Sequence, residues 1–459
     1  MFALILFFVY FVSFTDKPEK TAPQLSERAV EQRAKWGIAT DQMDYPVSPM
    51  YLDSLRRMGV KIHHASRWFN GATCEIKDEK LAAKVQALSF VTDVELTRDD
   101  SKPMAIAPKR STPLDRMTDD QLALFNLHPL HEAGYEGQGI VMAICDNGFQ
   151  SADTLPCFRQ HLELGHFDFT DDTNPFYGSP GDHGTKCLST ITAIADDYYG
   201  AATKARYYLM RSEENMTESP KEMDNLVAAL EKADSLGVNV FSVSLGYAEF
   251  DRADWTLSYA ALDGKTTRVS RAATIAARKG MLVCVAAGNS GDKEWHKIMA
   301  PADADSILTV GAVDTQGVIG AFSGFGPSAD GRIKPEVCAV GVNAAIYSPF
   351  GFSMYGNGTS FAAPLIAGMA ACVWSALPDE NAMQIRERIL RSSDRYTHPD
   401  SNQYGYGIPD AWKAYTMSTE IESEELRVKS EECRKILKDG QLWILRNGHV
   451  YNFAGQCVE

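Results

Sequence analysis

An open, mostly parallel α/β sheet with helices on both faces, preceded by a small α+β domain, is the architecture the sequence predicts. Three observations predict it. Between about residues 120 and 415, short apolar runs (GIVMAICD, VNVFSVSLG, GMLVCVAAGN, SILTVGAV) alternate with helix-length segments. The runs are continuous rather than alternating apolar and polar, as strands covered on both faces are. The segments between them, ESPKEMDNLVAALEKADSLG and TTRVSRAATIAARKG, each close on a glycine, a helix stop. Ligands of such sheets sit beyond the C-terminal strand ends, so the residues just after each run are the ones to inspect.

Taken in order, residues 1–15 (MFALILFFVYFVSFT) are apolar over the length of a signal-peptide core, though no Lys or Arg precedes them. They are expected to be a signal peptide or short anchor, which places the chain outside the cytoplasm, secreted or at the cell surface. Residues 16–50 are a polar segment and a poor core former. Residues 51–99 form the small unit: YLDSLRRMGV a helix, VKIHHASRWFNGATCEI a hairpin, DEKLAAKVQALSF a second helix and VTDVEL a closing strand. Residues 100–119, with Pro103, Pro108 and Pro113, read as an exposed linker. The large domain runs from 120 to 417. Residues 418–459 read as a charged helix to about Lys438, then a hairpin around Asn447-Gly448.

The chain of 459 residues carries 60 acidic against 45 basic side chains, a net charge of −15. With no basic stripe, nucleic acid is not an expected partner. Nine cysteines leave at least one unpaired within the chain. Cys145, Cys284 and Cys372 lie in apolar runs as small core residues, Cys433 and Cys457 are one candidate pair, and no C-x-x-C spacing supports zinc.

Four places carry chemistry. GIVMAICDNGF ends a buried strand in Asp146, where a carboxylate must be paired or hydrogen-bonded. GDHGTKCLSTITAIA sets His183 at a helix start, a position expected to lower an imidazole pKa and keep the ring neutral for base work. GMLVCVAAGNSGD ends in Ala287-Gly288-Asn289, small residues before an amide with two N–H donors. NGTSFAAPLIAGMAACVWS puts Ser360 at a helix N-terminus behind Gly358, with Pro364 following. Alone, each is also what a helix cap or a turn shows.

Together, in the order Asp, His, Asn, Ser, the motifs Asp146-Asn147-Gly148, His183-Gly184-Thr185, Ala287-Gly288-Asn289 and Gly358-Thr359-Ser360-Phe361-Ala362-Ala363-Pro364 resemble those of the subtilisin-family serine peptidases. The resemblance covers about 130–412. It implies the subtilisin-like fold and a peptidase in which Asp146, His183 and Ser360 are catalytic and Asn289 is the oxyanion donor. Ser244, Leu245, Gly246, Ala287 and Gly288 would line the substrate, with IMAPADAD (298–305) bounding the pocket for the residue before the cut. The family usually has Ser or Thr where this chain has Asn147. The unit at 51–99 resembles the family's inhibitory propeptides, and the chain's last residues are similar to terminal segments of some exported bacterial proteins.

The expected function is thus serine endopeptidase action on proteins or peptides, by a monomer made as a self-processed zymogen whose first partner is its own propeptide. No cofactor is required. Family members often bind calcium, for which Asp168, Asp171 and Asp172 are candidate ligands, but no metal is assigned. The alternative is a catalytically silent surface binding protein on the same fold, marked by loss of one of the four motif residues. A G-x-S-x-G esterase elbow is absent.

Overall fold

The computed structural model describes residues 8–19, 21–99, 117–159, 162–171, 173–215 and 217–417, and the backbone of three strands between 433 and 451. The small domain contains β1 (Phe8–Phe14), α1 (Glu27–Trp36), α2 (Pro49–Arg57), β2 (Lys61–Ser66), β3 (Gly71–Ile76), α3 (Glu79–Gln86) and β4 (Val91–Asp99). Its four strands form one antiparallel sheet in the order β2-β3-β1-β4. The hairpin and two helices expected after residue 51 are there.

Residues 8–14 of the apolar run at the start are not a signal-peptide core. Residues 8–14 are paired along both edges, to β3 and to β4, so removing them would take out an interior strand. The run is unbroken because both faces are covered. Tyr10, Val12 and Phe14 enter the small domain's core with Leu55 and Val85, while Phe11 lies under the Arg268 guanidinium of the large domain at 4.1 Å. The small domain thus reaches back at least to Phe8, well before Tyr51; residues 1–7 lie outside the described residues. The segment 16–50 is also more than a polar spacer. It carries α1 and a 3-10 turn, Gln42–Asp44, both fastened to the large domain by ion pairs.

The large domain follows with α4 (Asp119–Leu124), α5 (His128–Glu132), β5 (Val141–Asp146), β6 (Glu163–Asp168), α6 (His183–Thr192), β7 (Ile194–Ala195), β8 (Tyr198–Tyr199), β9 (Arg206–Arg211), α7 (Pro220–Leu236), β10 (Val240–Val243), α8 (Arg268–Arg278), β11 (Leu282–Ala286), β12 (Leu308–Val313), β13 (Val337–Val340), β14 (Ala344–Tyr347), β15 (Ser353–Gly356), α9 (Thr359–Ala376), α10 (Ala382–Ser392) and α11 (Ala411–Thr416). Seven strands make a parallel sheet ordered β13-β12-β11-β10-β5-β9-β6. Side chains alternate between its faces, as a strand's period of two requires. Met142 and Ile144 pack with α6 and α9, whereas Val141, Ala143 and Cys145 pack with α7 and α8. Helix α9 is long and apolar enough to cross a membrane by composition, yet it is 89% buried in the protein.

The small domain rests on α7 and α8. Its hairpin turn inserts Trp68 into the core beneath those helices, and Glu231 of α7 accepts from Ser66 Oγ (2.6 Å), Arg67 N (2.9 Å) and Trp68 N (3.2 Å). Among the described residues, seven cysteines are buried as free thiols. In the tail, β16 (Cys433–Lys438), β17 (Gln441–Arg446) and β18 (His449–Tyr451) form an antiparallel sheet. Strand 433–438 stands where a helix to Lys438 was expected, its backbone paired with β17, and β17 pairs with β18 from Arg446 opposite His449, while Asn447 and Gly448 lie outside the described residues. Residues 418–432 and 457 lie outside the described residues.

Candidate active site

The C-terminal ends of β5, β10 and β11 and the starts of α6 and α9 converge on one place. Asp146, the last residue of β5, is fully buried, and its Oδ1 accepts from His183 Nδ1 at 2.7 Å and from Asn147 N at 2.8 Å. Its Oδ2 is buried without a hydrogen-bond partner. The close approach depends on Gly184: a Cβ there would lie 2.3 Å from Gly148 O and 2.8 Å from Asp146 Cβ. A carboxylate so poorly solvated has the imidazole as its main counter-charge.

That geometry reverses one expectation. The helix start was expected to lower the His183 pKa. Burial does act downward, but it is outweighed by the attraction of Asp146, the hydrogen bond to it and the neighbouring Cys187, and the pKa is raised well above the ordinary value.

Ser360 is the second residue of α9 and 6% exposed. Pro364 has no N–H to give to the carbonyl four residues back, and that carbonyl belongs to Ser360. Two other donors take its place: Ser244 Oγ at 2.8 Å and Cys187 Sγ at 3.3 Å. The Ser360 hydroxyl in turn donates to Ser244 O at 3.1 Å. His183 borders the same space, its ring 5.8 Å from that of Phe361 and its two nitrogens 3.7 and 3.9 Å from Cys187 Sγ. Burial pushes the Cys187 thiol up to about 11, so it is a neutral donor here.

Asn289 is exposed, and its carboxamide is held in one orientation. Oδ1 accepts from both Thr359 N and Thr359 Oγ1 at 2.9 Å, while Gly288 N donates to Thr359 Oγ1 at 3.1 Å. The Nδ2 group is thereby turned to the open side, where a Cβ on Gly358 would stand 3.7 Å from it. Ser244, Leu245 and Gly246 continue β10 past its last sheet pair, and Tyr247 then bridges to Ala300. Met299, inside the stretch 298–305, fills the space between Gly246 and Gly288, each of whose added Cβ would lie 3.0 Å from it. Ala287 is buried behind them, donating its N–H to Val310 O at 3.0 Å.

The sequence named Ser244 only as a substrate-facing residue and did not single out Cys187 or the hydroxyl of Thr359. Cys187 carried a signal, lying four residues after His183 on one helix face. The link from Thr359 to Asn289 spans 70 residues and had no local trace.

Residues 137–407 match the Subtilase family, Peptidase_S8, and residues 9–112 match the Peptidase S8 propeptide domain of Bacteroidota. The chain belongs to the subtilase family. Among characterised subtilases it is 26% identical over 310 residues to serine protease AprX of Bacillus subtilis, covering 60% of this chain and 66% of AprX. It is 29% identical over 296 residues to subtilisin DY of Bacillus licheniformis, covering 62% of this chain and 94% of that protein. The crystal structure of MycP1 from Mycobacterium smegmatis superposes with a TM-score of 0.56 at 21% identity, over 69% of this chain and 90% of that one, a likeness of fold. The propeptide match begins at Val9, within β1, in keeping with the corrected boundary.

Against the subtilase pattern, Asn147 has a packing reason: its Nδ2 donates to Asn215 Oδ1 and its backbone oxygen accepts from Asn215 Nδ2, both at 3.3 Å, tying the end of β5 to the loop after β9. Of the acidic loop, Asp168 pairs with Arg211; Asp171 pairs with both Lys221 and His63 at 2.8 Å. Despite burial, His63 and Lys221 hold the Asp171 carboxyl well below its usual range. Asp172 lies outside the described residues.

Proposed function

We propose that the chain is a serine endopeptidase in which Ser360 attacks a peptide carbonyl while His183 takes its proton. The observation that carries this reading is the Asp146–His183 hydrogen bond of 2.7 Å beside a serine whose backbone carbonyl is held by both Ser244 Oγ and Cys187 Sγ. Ser360 Oγ turns from Ser244 O toward His183 as substrate enters, a tightening common in resting sites. Asp146 holds Nδ1–H, presents Nε2 as base and stabilises the imidazolium without taking the proton. Asn289 Nδ2 and the Ser360 N–H at the start of α9 receive the oxyanion. The acyl-enzyme forms as the C–N bond breaks and His183 returns the proton to the leaving amine; water then repeats the sequence. Substrate backbone would add to the free edge at 244–246 as an extra strand, its side chain before the cut meeting Met299. The small domain acts as the inhibitory propeptide, and export is part of this reading. No residue of the four-residue set is lost, which speaks against a silent binding protein.

The direct test is labelling with a fluorophosphonate probe: a single adduct at Ser360 in wild type supports the reading, and labelling elsewhere or none rejects it. Thr359→Val, which keeps the shape but leaves Asn289 Oδ1 only the Thr359 N–H and takes the acceptor from Gly288 N, is expected to lower kcat about tenfold with little change in KM. That is less than the roughly 100- to 1000-fold typical of removing an oxyanion donor outright.

The pH profile is a further check. The base must be neutral, and a raised pKa means the imidazole loses its proton only at higher pH. At pH 6.5 an unperturbed ring would be half neutral. Here less than half is, so kcat/KM should still be climbing above pH 6.5. A plateau already reached by pH 6.5 would contradict the assignment of His183 as base.

A further inference from the structure

Segment 26–44 makes a contact with the large domain that has no part in covering the candidate active site. β10 runs from Val240 to Val243, with Ser244 beyond one end and Asn239 before the other. The segment docks at the Asn239 end. Ser26 N donates to Ser235 O (2.8 Å), Arg28 Nε to Gly237 O (2.9 Å) and Arg28 Nη2 to Asn239 Oδ1. Arg33, 4% exposed, donates to both oxygens of Asp234 at 2.8 Å and pairs with Asp44 at 2.8 Å. Lys279, at the end of α8, reaches Asp41 and Asp44, both at 2.9 Å.

The fit is steric as well as ionic. A Cβ on Gly237 would stand 2.8 Å from Ala29 N, and one on Gly280 would stand 2.8 Å from Ile38 Cδ1. The two glycines that end α7 and α8 are therefore the seats of α1 and of Ile38, two residues past its end. Helix α7 has 17 residues, so this seat lies about 25 Å along it from the end nearest the candidate catalytic groups. The hairpin turn at 66–68 and the sheet of the small domain also hold the large domain through Glu231 and Arg268, and the two contacts meet at one residue, Asp234, which Arg67 reaches at 2.6 Å beside Arg33.

We propose that segment 26–44 is a remote clamp, a second binding site that sets how long the small domain stays on the peptidase domain after the connection through 100–116 is cut, and not whether the site is covered. This rests on the reading of the small domain as an inhibitory propeptide. Two contacts on one rigid piece dissociate together, so each raises the effective concentration of the other and residence becomes longer than either alone would give. Arg33 and Asp44 are buried charges that pair with each other within the segment and with Asp234 and Lys279 across the contact, so removing a partner across it leaves buried charge poorly compensated.

The test uses the full chain as Ser360→Ala with a foreign protease site placed between 100 and 116, cut and immobilised by its C-terminus. Residence of the released small domain is then followed during washing. Arg28→Ala, on the segment's edge, and Lys279→Met, on the peptidase domain, should each speed dissociation about tenfold or more, with far-ultraviolet circular dichroism unchanged. Dissociation within twofold of the parent in both variants would overturn the clamp. The same cut chains carrying Ser360 supply the second readout. Activity should stay suppressed at first in both variants and emerge at the rate of dissociation, whereas full activity at the moment of cutting would mean the segment covers the site itself and would also overturn the proposal. Failure of the peptidase reading is seen separately, as a wild-type chain that is inactive however it is cut, since residence is measured without activity.

Discussion

Ser360→Ala should abolish hydrolysis and, with it, removal of the small domain. The expected fall in kcat is about a millionfold, leaving only what the oxyanion donors and binding supply, since the members of such a unit act together and losing the nucleophile idles the rest. The fold should survive the change. Ser360 is held by its backbone, through Ser244 Oγ and Cys187 Sγ at its carbonyl, and the lost hydroxyl makes one bond, to Ser244 O. Mass spectrometry of the chain ends gives the readout. Wild type should lose everything before about residue 117, and the variant should keep it. A variant that matures as fast as wild type in pure form would show that another group cuts the linker.

Asp146→Asn should cost about ten-thousandfold in kcat, the loss expected when the orienting acid becomes an amide and the imidazole takes the wrong tautomer. The pH profile distinguishes this from simple damage. Asp146 is the main cause raising the His183 pKa, with burial acting the other way. Removing its charge leaves burial dominant, so the acid limb of kcat/KM should move to lower pH as the plateau falls. A limb that stays put while the rate collapses would mean Asp146 does not set the imidazole's charge.

Much of the large domain was legible because its strands are covered on both faces. The runs at β5, β10, β11 and β12 are apolar throughout, and Gly237 and Gly280 mark the helix ends. The same signature misled at Phe8–Phe14. An interior strand clad on both sides and a signal core are one pattern in a one-dimensional reading, and only the pairing to β3 and β4 separates them. Segment 26–44 was missed for the opposite reason. It docks by Arg28, Arg33 and Asp44 rather than by an apolar stripe, so its periodicity says solvent. At the candidate site the residue types and their order were readable, whereas what holds them was not. The helix-start argument for His183 is local, and a carboxylate 37 residues earlier in the chain overrides it.

The pairing of β1 also fixes an order of events during synthesis. Its partners β3 and β4 lie 60 to 90 residues downstream, so the small domain closes only when Asp99 has been made. That point precedes every strand of the seven-stranded sheet, whose first member starts at Val141 and whose neighbour β10 is almost a hundred residues further on. Parallel pairing at such separations is slow, and unfinished sheets expose apolar edges. Every residue of the antiparallel sheet and of the 66–68 turn is thus made before α7 and α8, whose Glu231 and Asp234 hold Ser66 and Arg33, exist to meet them. The two helices that complete the large domain's second core are made only after all of the small-domain residues they will meet.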